Sequence, residues 1–112
     1  MLLLAFDAEA PVGCVALRAL EAPNIGEMKR LFVRPEARGR GVGAALVRAL
    51  VERAREAGYA AVRLDTLPSM RAAQALYRQL GFQPIAPYSS SIPFFRRAVL
   101  STCLTSFSLP PI

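Results

Sequence analysis

Apolar and polar positions in the first third of the chain follow a pattern that predicts β-strands. A short apolar run at residues 1–6 and a weakly alternating segment at residues 14–20 indicate two strands. Residues 7–13 contain Asp, Pro and Gly and are typical of a hairpin turn. A second turn at residues 22–24 precedes a third strand at residues 25–33. The chain is therefore predicted to open with an antiparallel meander.

The spacing of apolar residues changes to three and four after the third strand, which predicts a helix over residues 41–57. Gly58 is its predicted C-terminal stop. Residues 60–65 then predict a fourth strand, which lies parallel to the third because a helical crossover joins the two. The central part of the chain is thus predicted to be a strand–helix–strand unit.

A second helix is predicted from one apolar face, which is formed by Met70, Ala73, Leu76, Tyr77 and Leu80. Ser69 is its predicted N-cap and Gly81 its predicted end. Residues 82–85 begin another strand. After Tyr88 the alternation weakens, and residues 94–100 are the segment that suggests a final strand.

These elements predict a single domain over residues 1–112, of the α/β class with an α+β mixed sheet, in which an antiparallel meander is followed by a parallel strand–helix–strand unit. The hydrophobic content of 54% is enough for a core and differs from that of disordered chains. No apolar run approaches the roughly 18 residues of a membrane span, and the apolar start is too short for a signal-peptide core. We therefore expect a cytoplasmic protein with no membrane partner.

Net charge and residue types limit the ligands and the catalytic groups that the protein can use. The net charge of +6 and the pI of about 10.4 suit an anionic partner such as a phosphate-rich cofactor. No basic run is interleaved with aromatic residues, so no nucleic-acid partner is expected. The chain has no histidine, which excludes a His-based triad and a histidine base. Cys14 and Cys103 lack metal spacing, so we expect no metal site and a reducing compartment.

The turn between the third strand and the first helix carries three alternating glycines, Gly39, Gly41 and Gly43. Glycine lets a ligand approach the backbone closely. The first N–H groups of a helix have no internal partner and carry partial positive charge. The turn is therefore predicted to bind a phosphate or pyrophosphate, with charge-assisted contacts from Arg38 and Arg40.

The same turn, RGRGVG at residues 38–43, resembles R-x-x-G-x-G, the acetyl-coenzyme A pyrophosphate signature of the GNAT family of N-acetyltransferases. GEMKRLFV and GYAAVRLDT resemble the central strand and the next strand of that family. AAQALYRQLGF resembles its closing helix, which ends in L-Y-x-x-x-G-F. The resemblance covers about residues 12–88, and residues 89–112 have no match to it.

The resemblance implies an N-acetyltransferase that moves an acetyl group from acetyl-CoA to a primary amine by direct attack. The backbone of residues 31–33 would pair with the pantetheine arm if the third and fourth strands splay apart. The implied cofactor-binding residues are Leu31, Phe32, Val33, Arg38, Gly39, Arg40, Gly41, Val42, Gly43 and Ala44. The acceptor would be a small-molecule or peptide amine, and a homodimer is left open.

Strict alternation on the third strand places Met28, Arg30 and Phe32 on one face, opposite Glu27, Lys29, Leu31 and Val33. The family usually has a bulge in this strand, and a bulge would shift that assignment.

The resemblance also implies catalytic residues. Tyr77 occupies the position of the tyrosine that faces the cofactor sulfur. Glu27 and Asp65 match the positions of the general base in two different branches of the family, and the sequence leaves both open. A base is needed because, for an amine of pKa about 10.4, only about one molecule in 10³ is uncharged at neutral pH.

Two departures from the family are visible. Met70 stands where an asparagine often contacts the cofactor, so no cofactor role is assigned to it. The chain begins at the family's second strand, so we expect a truncated product, a frameshifted tail or a domain completed by a partner. One alternative function is therefore a non-catalytic module that binds CoA or a protein.

A dinucleotide-binding βαβ unit is the other alternative, because Gly39-x-Gly41-x-x-Ala44 fits G-x-G-x-x-A and Asp65 ends the next strand. Residues 34–38 separate the strand from the first glycine, whereas that fingerprint begins almost at the strand end. The chain also lacks the further βα units of a doubly wound sheet.

Overall fold

The computed structural model describes residues 1–20, 24–67, 69–85 and 105–109, which contain six strands and two α-helices. The strands are β1 (Leu2–Asp7), β2 (Ala10–Ala19), β3 (Ile25–Val33), β4 (Ala61–Thr66), β5 (Gln83–Ile85) and β6 (Thr105–Leu109). The helices are α1 (Val42–Glu56) and α2 (Arg71–Gln79), and a 3₁₀ turn covers Pro35–Ala37.

The strands form one mixed sheet in the order β1-β2-β3-β4-β6-β5. β1, β2 and β3 pair antiparallel, and β3 pairs parallel with β4 after the α1 crossover. β6 lies antiparallel between β4 and β5. The predicted meander followed by a parallel strand–helix–strand unit is confirmed. A doubly wound parallel sheet is not present in the described residues, which counts against the dinucleotide-binding interpretation.

A single core joins both helices to the sheet. Buried residues recur along α1 at the predicted spacing, at Leu46, Val47, Leu50 and Ala54. Tyr77 of α2 and the fully buried Phe107 of β6 belong to the same cluster. Because both helices share this core, the loop after β3 and the start of α2 are held close to the central strands.

The hairpin between β1 and β2 is tighter than predicted, because β2 already begins at Ala10. The glycine at position 13 lies inside β2 rather than in a turn. A Cβ at Gly13 would meet the Phe32 carbonyl oxygen at 2.9 Å and Leu46 Cδ1 at 3.0 Å. Gly13 is therefore required by close packing of α1 against the sheet, which local turn signals do not reveal.

The prediction of Ser69 as N-cap is wrong. The N-cap of α2 is Met70, which makes no side-chain capping bond, and the helix begins at Arg71. A tight turn precedes it, in which the Met70 N–H donates to the Leu67 carbonyl and the Arg71 N–H to the Ser69 carbonyl. This turn uses the backbone of Ser69 instead of its hydroxyl.

The predicted final strand at residues 94–100, Cys103 and most of the predicted turn at 22–24 lie outside the described residues. The last described strand is β6, which the sequence pattern did not predict. Its short alternation of Ser106, Phe107 and Ser108 is the signal that was available.

Candidate functional site

A bulge interrupts β3 in its second half. Cys14 of β2 lies opposite Phe32, whereas Ala16 lies opposite Lys29, so one residue of β2 faces two of β3. Arg30 has a φ of +59° at this point, a conformation that residues other than glycine rarely adopt. The bulge implied by the family resemblance is therefore present.

The bulge corrects the predicted faces of β3. Met28 before it and Leu31 and Val33 after it all pack with the core cluster. Strict alternation had separated Met28 from the other two, and the extra residue of the bulge removes that separation. The Phe32 side chain is half exposed.

β3 and β4 diverge after Glu27, before the bulge is reached. They pair only over residues 25–27 and 61–63, although β3 runs on to Val33 and β4 to Thr66. The splay that the resemblance required is therefore present. A cleft of about 410 Å³ lies between the diverging strands. Its lining includes Glu27, Lys29, Arg30, Asp65, Met70 and Tyr77.

The backbone of β3 faces this divergence at Val33. The Arg34 N–H donates to the Val12 carbonyl of β2 at 2.8 Å, so the Arg34 amide points toward β2. Successive amides of an extended chain point in opposite directions. The Val33 N–H therefore points away from β2, toward the side on which β4 separates.

The glycine turn that follows β3 is open on its outer side. Gly39 and Gly41 both have a φ of +79°, and a Cβ added to either would meet nothing within 4 Å. Gly41 is the N-cap of α1 and has no side chain to accept a bond from the first-turn N–H groups. Gly43 differs, since a Cβ there would contact Leu76 Cδ2 at 3.5 Å. The helix start thus offers N–H donors and space to an anion.

The two arginines of the turn contact neighbouring protein groups. The Arg38 Nε donates to the Val33 carbonyl at 3.0 Å, and its guanidinium lies 6.0 Å from the centre of the Phe32 ring. The Arg40 Nη2 lies 3.3 Å from Asp7 Oδ2, and both side chains are exposed. Both cations are therefore placed at the turn, and each holds it against an adjoining strand.

Tyr77 reaches the cleft from α2. Its ring packs at 5.7 Å from the Phe82 ring and 6.1 Å from the Phe107 ring, centre to centre, and only 6% of the residue is exposed. Burial raises the pKa of the Tyr77 hydroxyl above its ordinary value of 10.0. At neutral pH the hydroxyl is therefore protonated and able to donate a hydrogen bond.

The carboxylate of Glu27 is surrounded by cations. It is almost fully buried, and its Oε1 lies 3.2 Å from Lys29 Nζ and 3.9 Å from Arg18 Nε. In the sheet register Glu27 also lies opposite Arg63 of β4. Glu27 therefore serves as a buried counterion to these cations.

The carboxylate of Asp65 is in a different environment, half-buried at the end of β4. Burial raises its pKa above the ordinary 3.8, and the negative charge of Glu27 adds to the rise. Ser106 donates a hydrogen bond to Asp65 Oδ1 at 2.5 Å, which lowers the pKa, as does the charge of Lys29. The net effect is a raised pKa, which favours Asp65 as an acceptor of a proton.

Sequence reasoning missed three residues of this site. Ser106 lies in β6, a strand that the sequence analysis did not predict. Lys29 and Arg30 were assigned only to faces of β3, and their place in the cleft depends on the splay and the bulge. Met70 lines the cleft and is half exposed, and its side chain has no amide to offer a ligand.

No group of three metal-ligating side chains occurs within the residues that the structure describes. Neither of the described helices is long and apolar enough to span a bilayer.

Sequence comparisons give this geometry a context. A family model described as the acetyltransferase (GNAT) family matches residues 1–82. The chain is 42% identical over 77 residues to an uncharacterised N-acetyltransferase of Schizosaccharomyces pombe, covering 69% of this chain and 47% of that protein. It is 40% identical over 80 residues to the IAA acetyltransferase of Azospirillum brasilense, covering 69% of this chain and 52% of that protein. The chain thus spans about half the length of the curated relatives it matches.

Solved structures share the fold. A GNAT acetyltransferase from Staphylococcus aureus matches with a TM-score of 0.81 at 23% identity, over 97% of this chain and 66% of that one. The PaiA N-acetyltransferase of Thermoplasma acidophilum, solved in complex with coenzyme A, matches with a TM-score of 0.79 at 17% identity, over 98% and 60%.

Proposed function

The chain belongs to the acetyltransferase (GNAT) family, and from that premise we propose that it transfers an acetyl group from acetyl-CoA to the primary amine of an acceptor. The observation that carries the proposal is the splay of β3 and β4. It places Tyr77 and Asp65 in one cleft, beside a strand edge that ends in the open glycine turn.

The residues present fit the thioester cosubstrate. The edge of β3 from which β4 diverges, along Leu31, Phe32 and Val33, offers backbone groups such as the Val33 N–H to the amides of the pantetheine arm. The turn from Arg38 to Ala44 offers helix N–H groups and two arginines to the pyrophosphate. When bound, acetyl-CoA supplies the activated acetyl group.

The side chains then divide the proton transfers. Asp65, directly or through water, takes a proton from the acceptor ammonium, so that the neutral amine attacks the acetyl carbonyl carbon. The Val33 N–H is placed to polarise that carbonyl. As the C–S bond breaks, the Tyr77 hydroxyl donates a hydrogen bond to the developing thiolate. The amide nitrogen loses its second proton in this step, and the thiolate takes up a proton by way of Tyr77 and leaves as the thiol.

A calorimetric titration of the purified chain with acetyl-CoA tests the proposal first, with nicotinamide dinucleotide as the control. We expect micromolar binding of the thioester alone, followed by release of free CoA thiol when a panel of amines is added. Binding without turnover across the panel would favour the alternative of a non-catalytic CoA-binding module. A folded sample that binds neither compound would contradict the proposal.

A Gly41→Ala substitution tests the turn. The new Cβ would stand in the open space of the turn, and we expect it to weaken acetyl-CoA binding by about tenfold or more, a loss of about 1.4 kcal/mol. The positive φ at this position also makes alanine cost about 1–2 kcal/mol of stability.

Gly58→Ala is the matched control for this substitution. Gly58 follows the other end of α1, has a φ of +92°, and a Cβ there would likewise meet nothing within 4 Å. We expect the same loss of stability with unchanged acetyl-CoA affinity. Equal affinity losses in both variants would show that backbone strain, rather than the turn's role in binding, is responsible.

A further inference from the structure

The charged residues of the cleft are equal in number, but the two cations differ in their ion pairing. Two acids, Glu27 and Asp65, and two cations, Lys29 and Arg30, line it. Lys29 forms an ion pair with Glu27, with its Nζ 3.2 Å from Glu27 Oε1. Arg30 forms no ion pair with any acidic side chain of the described residues, and it is exposed. Arg30 is therefore an exposed cation in the lining of the cleft that also contains Asp65, the residue proposed to accept the amine proton.

The backbone at Arg30 is unusual in a way that supports a role. Its φ of +59° lies in the left-handed region, which costs an L-residue about 1–2 kcal/mol and which glycine or asparagine adopts more easily. Residues held in such conformations cluster at active sites and ligand clamps. The bulge carries a long cationic side chain at a position where a smaller residue would relieve this strain.

We propose that Arg30 binds a carboxylate of the acceptor, so that the acceptor class is small molecules carrying both an amine and a carboxylate, as free amino acids do. This inference rests on the proposed acetyl transfer. The planar fork of a guanidinium matches a carboxylate with two parallel hydrogen bonds, which the point charge of a lysine cannot reproduce. Arg30 would hold the carboxylate while Asp65 deprotonates the amine of the same molecule.

The test compares free amino acids with their α-carboxamides as acceptors, since each pair shares a side chain and an amine and differs in the anionic group. Turnover is followed by release of CoA thiol, and binding by thermal shift in the presence of CoA. We expect kcat/KM for the best amino acid to exceed that of its amide by about tenfold or more, mainly through KM.

The Arg30→Asn variant keeps a residue suited to the left-handed conformation and removes the cation. We expect it to abolish the preference for the acid, so that each amino acid and its amide are turned over with similar kcat/KM. Arg30→Lys, which keeps the positive charge but not the planar fork, is expected to retain part of the preference for the acid. Arg48→Asn, an exposed arginine on α1, is the control and should change nothing.

Equal turnover of acids and amides, or a preference that survives in Arg30→Asn, would overturn the inference and leave the acetyl transfer standing. The same holds if no free amino acid is turned over or stabilises the protein while acetyl-CoA still binds. Loss of acetyl-CoA binding in the unmodified chain would instead remove the proposed function.

Discussion

Replacing Tyr77 with phenylalanine is expected to lower kcat by about 10²–10³-fold while acetyl-CoA affinity stays unchanged. The substitution removes only the hydroxyl, which is the group proposed to stabilise the leaving thiolate. The ring contacts with Phe82 and Phe107 remain, so the fold should be preserved. Single-turnover thiol release, calorimetry with acetyl-CoA and thermal unfolding measure the three quantities separately.

The raised pKa of Tyr77 sets the role of this hydroxyl. A phenol with a pKa above 10.0 transfers its proton to a thiolate of pKa about 8.5 only uphill, so Tyr77 acts as a hydrogen-bond donor until the thiol forms. Tyr59→Phe is the matched control, because Tyr59 also packs against the core but does not line the cleft. A Tyr77→Phe variant as active as Tyr59→Phe would remove the hydroxyl from the mechanism.

The sequence was sufficient for those parts of the site that depend on local spacing. The alternating glycines lie where a strand meets a helix start, and L-Y-x-x-x-G-F places Tyr77 two residues before the end of α2. Both features are properties of a continuous segment, so the pattern carries them without knowledge of the fold. The strand–helix–strand unit and the antiparallel meander were predictable for the same reason.

The choice between the two candidate bases was not predictable, because it depends on residues far apart in the chain. Glu27 is paired with Lys29 nearby but also lies opposite Arg18 on one neighbouring strand. Asp65 accepts its hydrogen bond from Ser106, which is 41 residues away. Only the pairing of strands reveals that Glu27 lies beside two cations, whereas Asp65 accepts a hydrogen bond from β6.

The bulge in β3 is a second feature that the residue pattern alone leaves open. Strict alternation gives two clean faces, and nothing local marks Arg30 as the residue that breaks them. One extra residue shifts every following side chain to the other face. The shift returns Leu31 and Val33 to the core, and Arg30, in the bulge itself, is part of the cleft lining.

Asp65→Asn is expected to lower kcat by about 10²–10⁴-fold, the usual contribution of a general base. The same substitution should stabilise the fold at neutral pH. When folding raises the pKa of a carboxyl group, the ionised carboxylate destabilises the folded state. This destabilisation is absent below the pKa of the unfolded chain, near 3.8, and is complete above the pKa of the folded protein. The stability gain of the variant should therefore appear only as the pH rises through this window, which denaturant unfolding at several pH values can measure.

Two companion variants separate Asp65 from Glu27. Ser106→Ala removes the hydrogen bond that stabilises the charged form of Asp65, so the acidic limb of the kcat/KM profile should move to higher pH. Glu27→Gln leaves Lys29 and Arg18 without their shared counterion, so it should destabilise the fold while retaining much of the turnover. Opposite signs of the stability change thus distinguish a partly desolvated base from a structural counterion.

If Glu27→Gln lost turnover while Asp65→Asn kept it, the base would be Glu27, and Asp65 would hold β6 in place through Ser106.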